Sequence, residues 1–132
     1  MSQENVEIVR RVNAAINCGD IESISELLHH DIAWWDREDD LNATVHRGRD
    51  GFRTALIELA DDIADLSVEV KEYIDAGDYI VTPVRVTGRG QISGATFEED
   101  EVHVVKLRDG KITELREYRT RDEALKAVGL AE

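Results

Sequence analysis

Apolar residues return every third or fourth position along residues 3–17: Val6, Val9, Val12 and Ile16, with the small Ala15 beside them. That spacing matches the turn of an α-helix and predicts an amphipathic helix with one buried stripe. Ser2 is placed to cap its start and Gly19 to stop it. Asp20 is then placed to cap a second, shorter helix with the stripe Ile21, Ile24, Leu27 and Leu28. The two read as a helical hairpin joined by "CGD". After His29-His30-Asp31, the short apolar and aromatic run at 32–35 suits a strand. A polar loop follows, and in "HRGRDGFRTALIELADDIADL" Phe52, Leu56, Leu59 and Ile63 recur at helical spacing. That is a third helix.

From residue 67 the period shortens to that of strands, in "SVEVKEYIDAG", "DYIVTPVRVTGRG", "ATFEEDEVHVVKL" and "KITELREYRT". Glycine-bearing breaks divide them, and Asp109-Gly110 is a hairpin signal that makes the last two antiparallel neighbours. Pro83 lacks a ladder donor, so an edge position or a bulge with a bend is expected there. A closing helix over 121–128, stopped by Gly129, ends the pattern. Helices first and long strands afterwards give an α+β fold: a strongly curved antiparallel sheet with helices laid on one face. Such an arrangement leaves a concave space between the layers, where ligands bind.

The chain has 132 residues, 42% of them apolar and 34% charged, which fits one globular domain over 1–132 with a single core. A net charge of −13 opposes phosphate backbones and anionic lipid, so neither nucleic acid nor a membrane surface is an expected partner. No signal-peptide pattern and no apolar run of about 20 residues occurs, and a cytoplasmic location is expected. The single cysteine, Cys18, can form no intrachain disulfide and reads as a small packing residue.

Glycine-rich phosphate loops, paired-cysteine metal motifs, His-Glu-x-x-His and Gly-x-Ser-x-Gly elbows are all missing from the sequence. His29 and His30, if helical, would point about 100° apart and not share an ion. No metal and no cofactor are expected. What remains are ionisable residues inside apolar strand patterns. His103 alternates with Glu101, Val105 and Leu107 on one strand face. It reads either as a core histidine bonded to a carbonyl or as a titratable group lining a pocket. Arg85, flanked by valines, is either a solvent-facing partner of a Glu on the next strand or a pocket residue. Asp36 closes the apolar run "IAWW" just before an acidic loop. Trp34 and Trp35 are strand neighbours, so one faces inward and the other outward. His46 and Arg49 read as loop contacts.

Three phrases, "INCGDIESISELLHHDIAWWD", "HRGRDGFRTAL" and "VVKLRDGKITELREYRTRDEAL", resemble the SnoaL-like branch of the nuclear transport factor two-like superfamily, which also contains ketosteroid isomerase. The resemblance covers essentially the whole chain. It implies a cone of curved antiparallel sheet closed by N-terminal helices, a deep apolar pocket, and a homodimer through the outer sheet surface. It places Asp36 where ketosteroid isomerase has its catalytic base, and His103 where that enzyme has a protonated aspartic acid that donates to the oxyanion. The oxyanion tyrosine corresponds to Val12, which has no donor, so steroid isomerisation itself is not expected.

Two function classes follow. In the first, Asp36 as general base and His103 as donor or general acid carry out cofactor-independent proton transfer, isomerisation or cyclisation on a small apolar carbonyl compound. Trp35, Arg85 and Tyr118 then line or orient the pocket. An epoxide-hydrolase variant would need an Asp-Arg-Asp network, for which Asp36, Arg85 and Asp100 supply the residue types. In the second class the domain binds a small apolar organic ligand, or another copy of itself, without chemistry.

Overall fold

The structure is a computed structural model that describes residues 2–37, 39, 41 and 43–130. Helix α1 spans Ser2–Cys18, and a 3-10 helix spans Glu22–Leu27. Strand β1 is Leu28–Trp35 and β2 is Val45–Arg47; helix α2 follows at Gly48–Asp62. Then come β3 (Ile63–Val70), β4 (Ile74–Ala76), β5 (Tyr79–Gly90), β6 (Thr96–Arg108) and β7 (Lys111–Tyr118), with helix α3 at Arg121–Ala127. The strands form one curved, unclosed sheet in the order β2-β1-β7-β6-β5-β3, with β4 beside β5. Every pair is antiparallel except β1 with β7.

The inner face of the sheet is covered by α1, the 3-10 helix and α2. Val9 and Val12 of α1, Ile24, and Phe52 and Leu56 of α2 pack on Ile32, Ile80 and Val105. Phe52 is 2% exposed and Ile32 fully buried, so truncating either removes a large share of the core. The free edge of β3 is closed by α1. Asn13 and Asn17 Nδ2 donate to Val68 O at 3.0 and 2.9 Å, and Asn17 Oδ1 accepts from Val68 N at 2.8 Å. These amides satisfy backbone groups that would otherwise template another strand.

Several expectations change in the fold. The second helix is a 3-10 segment whose N-cap is Ile21 without a side-chain bond, so Asp20 caps nothing there. Ser2 begins α1, but its side chain lies outside what is described. Helix α3 does not join the others: Ala124 packs on Val81, Val102 and Val104, which alternate away from the inner face, so it covers the outer one. Ile63 opens β3 rather than ending α2.

His29 and His30 lie on β1, not on a helix. The register of β1 on β7 slips between Leu28 and Ala33, so "HHD" bulges out, and the two imidazoles stack at 4.3 Å. Pro83 is in a central strand, paired with Val102 of β6. It sits where β5 changes partner from β3 to β4, in a gap bridged by Lys71 N donating to Pro83 O at 2.9 Å. Its missing N–H therefore costs no ladder bond.

Candidate functional site

The curved inner face and α1 and α2 enclose a cavity of about 700 Å³. Its apolar wall includes Trp34, Phe52, Leu59, Val86, Phe97 and Leu115. A small recess of about 50 Å³ beside it is lined by Val12, Thr82, His103 and Val105. At Gly88 neighbouring side chains pack onto the backbone: a Cβ there would stand 2.4 Å from Ile63 Cγ2 and 3.1 Å from Phe97 Cε1.

Asp36 points into this space. As the residue after β1, it leaves the ladder but stays clamped to the segment entering β2. Its N–H donates to Thr44 O at 3.1 Å, its Oδ2 accepts from Thr44 N at 3.3 Å, and its Oδ1 lies 3.3 Å from His46 Nε2. With side-chain exposures of 20% and 25%, Asp36 and His46 form a half-buried dyad at the polar end of the cavity. His46, read from sequence as a loop contact, is a member of the site, and its ring leans on Trp34 with centroids 5.1 Å apart.

A second cluster lies on β6 and β7. His103 and Glu117 are direct cross-strand partners on the inner face, and Glu101 precedes His103 by one full side-chain period. His103 Nε2 lies 3.1 Å from Glu101 Oε1, and Trp34 Nε1 donates to Glu117 Oε2 at 2.8 Å. Arg37 Nη1 reaches the outer oxygen of Glu101 at 3.4 Å and Glu99 at 2.9 Å.

Burial pushes the Glu117 carboxyl up to about 7; the charges of Glu101 and Asp36 add to this, while His103 and the Trp34 hydrogen bond oppose it. For His103 burial alone lowers the pKa. The Glu101 hydrogen bond and the negative charges of Glu117 and Glu101 outweigh it, so the net shift is above 6.5. An imidazole whose pKa is raised therefore faces a carboxyl pushed up to about 7.

The donor atoms of Glu101, His103 and Glu117 lie within 4.8 Å of one another, close enough to meet one cation. His29, His30 and Asp31 meet the same test on the exposed bulge, where they already bond one another: Asp31 N to His29 Nδ1, and His30 Nε2 to Asp31 Oδ2.

The other residues singled out from sequence lie elsewhere. Trp35 alternates with Trp34 and faces the outer side, where its ring is covered by Arg116 at 4.2 Å and Arg47 at 5.7 Å. Tyr118 packs in the outer cluster with Val102 and Ala124. Arg85 is also outside, bonded to Asp100 at 3.0 Å and Glu98 at 3.3 Å. The strand alternation that turns His103 inward turns Asp100 and its partner Arg85 outward, so Asp36, Arg85 and Asp100 assemble no common network. Of Asp36, His103, Trp35, Arg85 and Tyr118, the fold brings only Asp36 and His103 to the cavity. Sequence reading missed Glu117 and His46, and it placed Glu101 on the strand face of His103 without giving it a role.

Solved structures share this architecture. Bal32a from a soil-derived mobile gene cassette aligns with a TM-score of 0.81 at 21% identity, over 89% of each chain. A protein with a ketosteroid isomerase-like fold from Catenulispora acidiphila DSM 44928, in complex with trimethylamine, aligns at 0.76 and 19% identity, over 94% of this chain and 93% of that one. A nuclear transport factor two-like protein from Burkholderia xenovorans LB400 aligns at 0.75 and 28% identity over 98% of both chains. Comparison with curated proteins finds no match. The model of the SnoaL-like domain matches residues 9–115, a stretch that includes Asp36, His46 and His103 and ends just short of Glu117. The chain belongs to the SnoaL-like family, within the nuclear transport factor two-like fold.

Proposed function

We propose that the cavity receives a small, largely apolar carbonyl compound and that Asp36, His103 and Glu117 move a proton on it without a cofactor. The observation that carries this reading is the buried Glu117 carboxyl set directly opposite His103 on the cavity face, with burial pushing Glu117 up to about 7 and the neighbouring carboxylates raising His103. Asp36, oriented by Thr44 N–H and His46, takes the proton from the carbon next to the carbonyl. His103 and protonated Glu117 supply donors to the oxygen on which charge develops. Val12 offers no donor from α1, so the stabilising groups come from β6 and β7 instead. Family membership supports an isomerase- or cyclase-like role, and the Catenulispora relative in complex with trimethylamine supports small organic molecules as ligands of the fold. The association of two copies through the outer sheet face belongs to the same proposal. A solution mass of 14.9 kDa rather than twice that value would count against it.

The test is proton–deuterium exchange at the α-carbon of enolisable ketones, followed by NMR. Asp36→Asn should slow exchange by about 10²–10⁴-fold and Glu117→Gln by about 10–10³-fold. Glu117 is faced by His103 and Glu101 from β6, Trp34 from β1 and Asp36 beyond its end. The donor is its protonated form, so the rate should fall as pH rises through about 7, and this limb should vanish in Glu117→Gln. Exchange that is indifferent to Asp36→Asn removes that residue from the role of base.

A further inference from the structure

The charges around the cavity are one-sided. Its lining carries the acidic side chains of Asp36, Glu58, Asp62, Glu99, Glu101 and Glu117 and the imidazoles of His46 and His103, and among the described residues it carries no Lys or Arg. The imidazoles are already matched, His46 to Asp36 and His103 to Glu101 and Glu117. Arg37, which reaches Glu101 and Glu99 from beside the cavity, also holds Asp39 at 2.9 Å, and its side chain is only 12% exposed. Glu58 and Asp62, exposed at the rim, form no ion pair with any described residue. The apolar wall between rim and floor is partly aromatic, with Trp34 and Phe52 at 5.3 Å and Phe97 lying against Gly88.

We propose that the molecule this cavity selects is an organic cation: a protonated tertiary amine or a quaternary ammonium on an apolar or aromatic body. The inference rests on the reading that the cavity is a ligand site, and adds the charge of the ligand. An anionic ligand would have to pass the unmatched carboxylates of Glu58 and Asp62 at the rim and then lie among the cavity's remaining acids. A cation meets the opposite situation. Its diffuse charge lies against aromatic faces and within the field of Glu58 and Asp62, while its body occupies the wall of Leu59, Val86 and Phe97. Proton transfer at Asp36 and His103 requires no charge on the ligand, so the two claims stand or fall separately.

The experiment compares three probes of similar shape, titrated into the full chain and followed by NMR shifts: benzyltrimethylammonium, its neutral carbon isostere neopentylbenzene, and the anion phenylacetate. The cation should bind at least about tenfold tighter than the isostere, and phenylacetate should bind weakest. Replacing both rim acids, Glu58→Gln with Asp62→Asn, should lower the cation's affinity about three- to tenfold. The isostere's affinity should stay where it was. Both rim residues are exposed, so the substitutions leave the core intact. Equal binding of cation and isostere, or tighter binding of phenylacetate, overturns the inference while the cavity remains a ligand site. Failure of all three probes to bind overturns the inference, while the proton-transfer reading is decided by the ketone exchange experiment.

Discussion

Glu117 is held in the folded protein with a proton it would have given up in the unfolded chain, and this has a thermodynamic consequence. Its carboxyl moves from 4.5 to about 7 on folding, chiefly through burial. Between those values the native state binds more protons than the unfolded one, so its stabilising share is full below about 4.5 and is lost as pH rises through about 7. The amount is about 3 kcal/mol. His103, also raised, acts in the same direction. Glu117→Gln keeps an acceptor for Trp34 Nε1 and removes the titration, so by urea unfolding it should match the parent near pH 4.5 and exceed it by about 3 kcal/mol at pH 8. Equal stabilities at both pH values would mean that the carboxyl is solvated and would remove the support for its catalytic role.

At this scale the sequence made only part of the site legible. Alternation turned His103 inward, and an aspartate after an apolar strand marked the cavity's mouth. Trp34 and Trp35 were indistinguishable, because a parity argument fixes opposite faces without saying which is inside. Arg85 takes the solvent-facing of the two readings its valine-flanked position allowed, bonded to acids on the next strand, while Tyr118, expected at the pocket, packs in the outer cluster.

The element scale explains why Glu117 was missed. Asp109-Gly110 has both φ values positive, 53° and 76°, which is the two-residue turn its sequence announces, and it pairs Arg108 with Lys111 and Leu107 with Ile112. Continued without interruption, that register would set Arg116 opposite His103. Between Lys106–Glu114 and Leu107–Ile112 one extra residue, Thr113, enters β7, and its Oγ1 donates to Lys106 O at 3.3 Å. This bulge exchanges an inward arginine for an inward glutamate, and no local sequence signal marks it. A similar slip in β1 throws His29-His30-Asp31 outward. By contrast, α1, α2, α3 and the long strands were legible because each carries a clear period. Gly88 tests the link between element and cavity. Gly88→Ala should cost about 1–3 kcal/mol by overpacking Ile63 and Phe97. It should also weaken any ligand that contacts Phe97, seen as a lower melting temperature together with a raised Kd. A variant as stable as the parent would mean that Ile63 and Phe97 shift aside without cost.

For the whole molecule the dominant electrostatic feature is the excess of 29 acids over 16 bases. Opposing it are surface pairs such as Arg85–Asp100 at 3.0 Å and Arg89–Asp65 at 3.3 Å. Exposed pairs of this kind contribute about 0–1 kcal/mol each and are weakened by salt. Self-repulsion among the surplus charges acts across the whole surface and is also screened by salt, but with the opposite effect on stability. The excess is not confined to the exterior, since the cavity lining repeats it in a setting that bulk ions screen less well. Repulsion should therefore win, and the melting temperature should rise as sodium chloride is raised from about 10 to 300 mM, where the screening length falls below about 10 Å. A benzyltrimethylammonium salt at the same ionic strength should raise it further, because ligand binding adds to screening. Melting that falls with salt would show that the surface pairs outweigh the net charge, and an equal effect of the two salts would show that the cavity gains nothing from a cation.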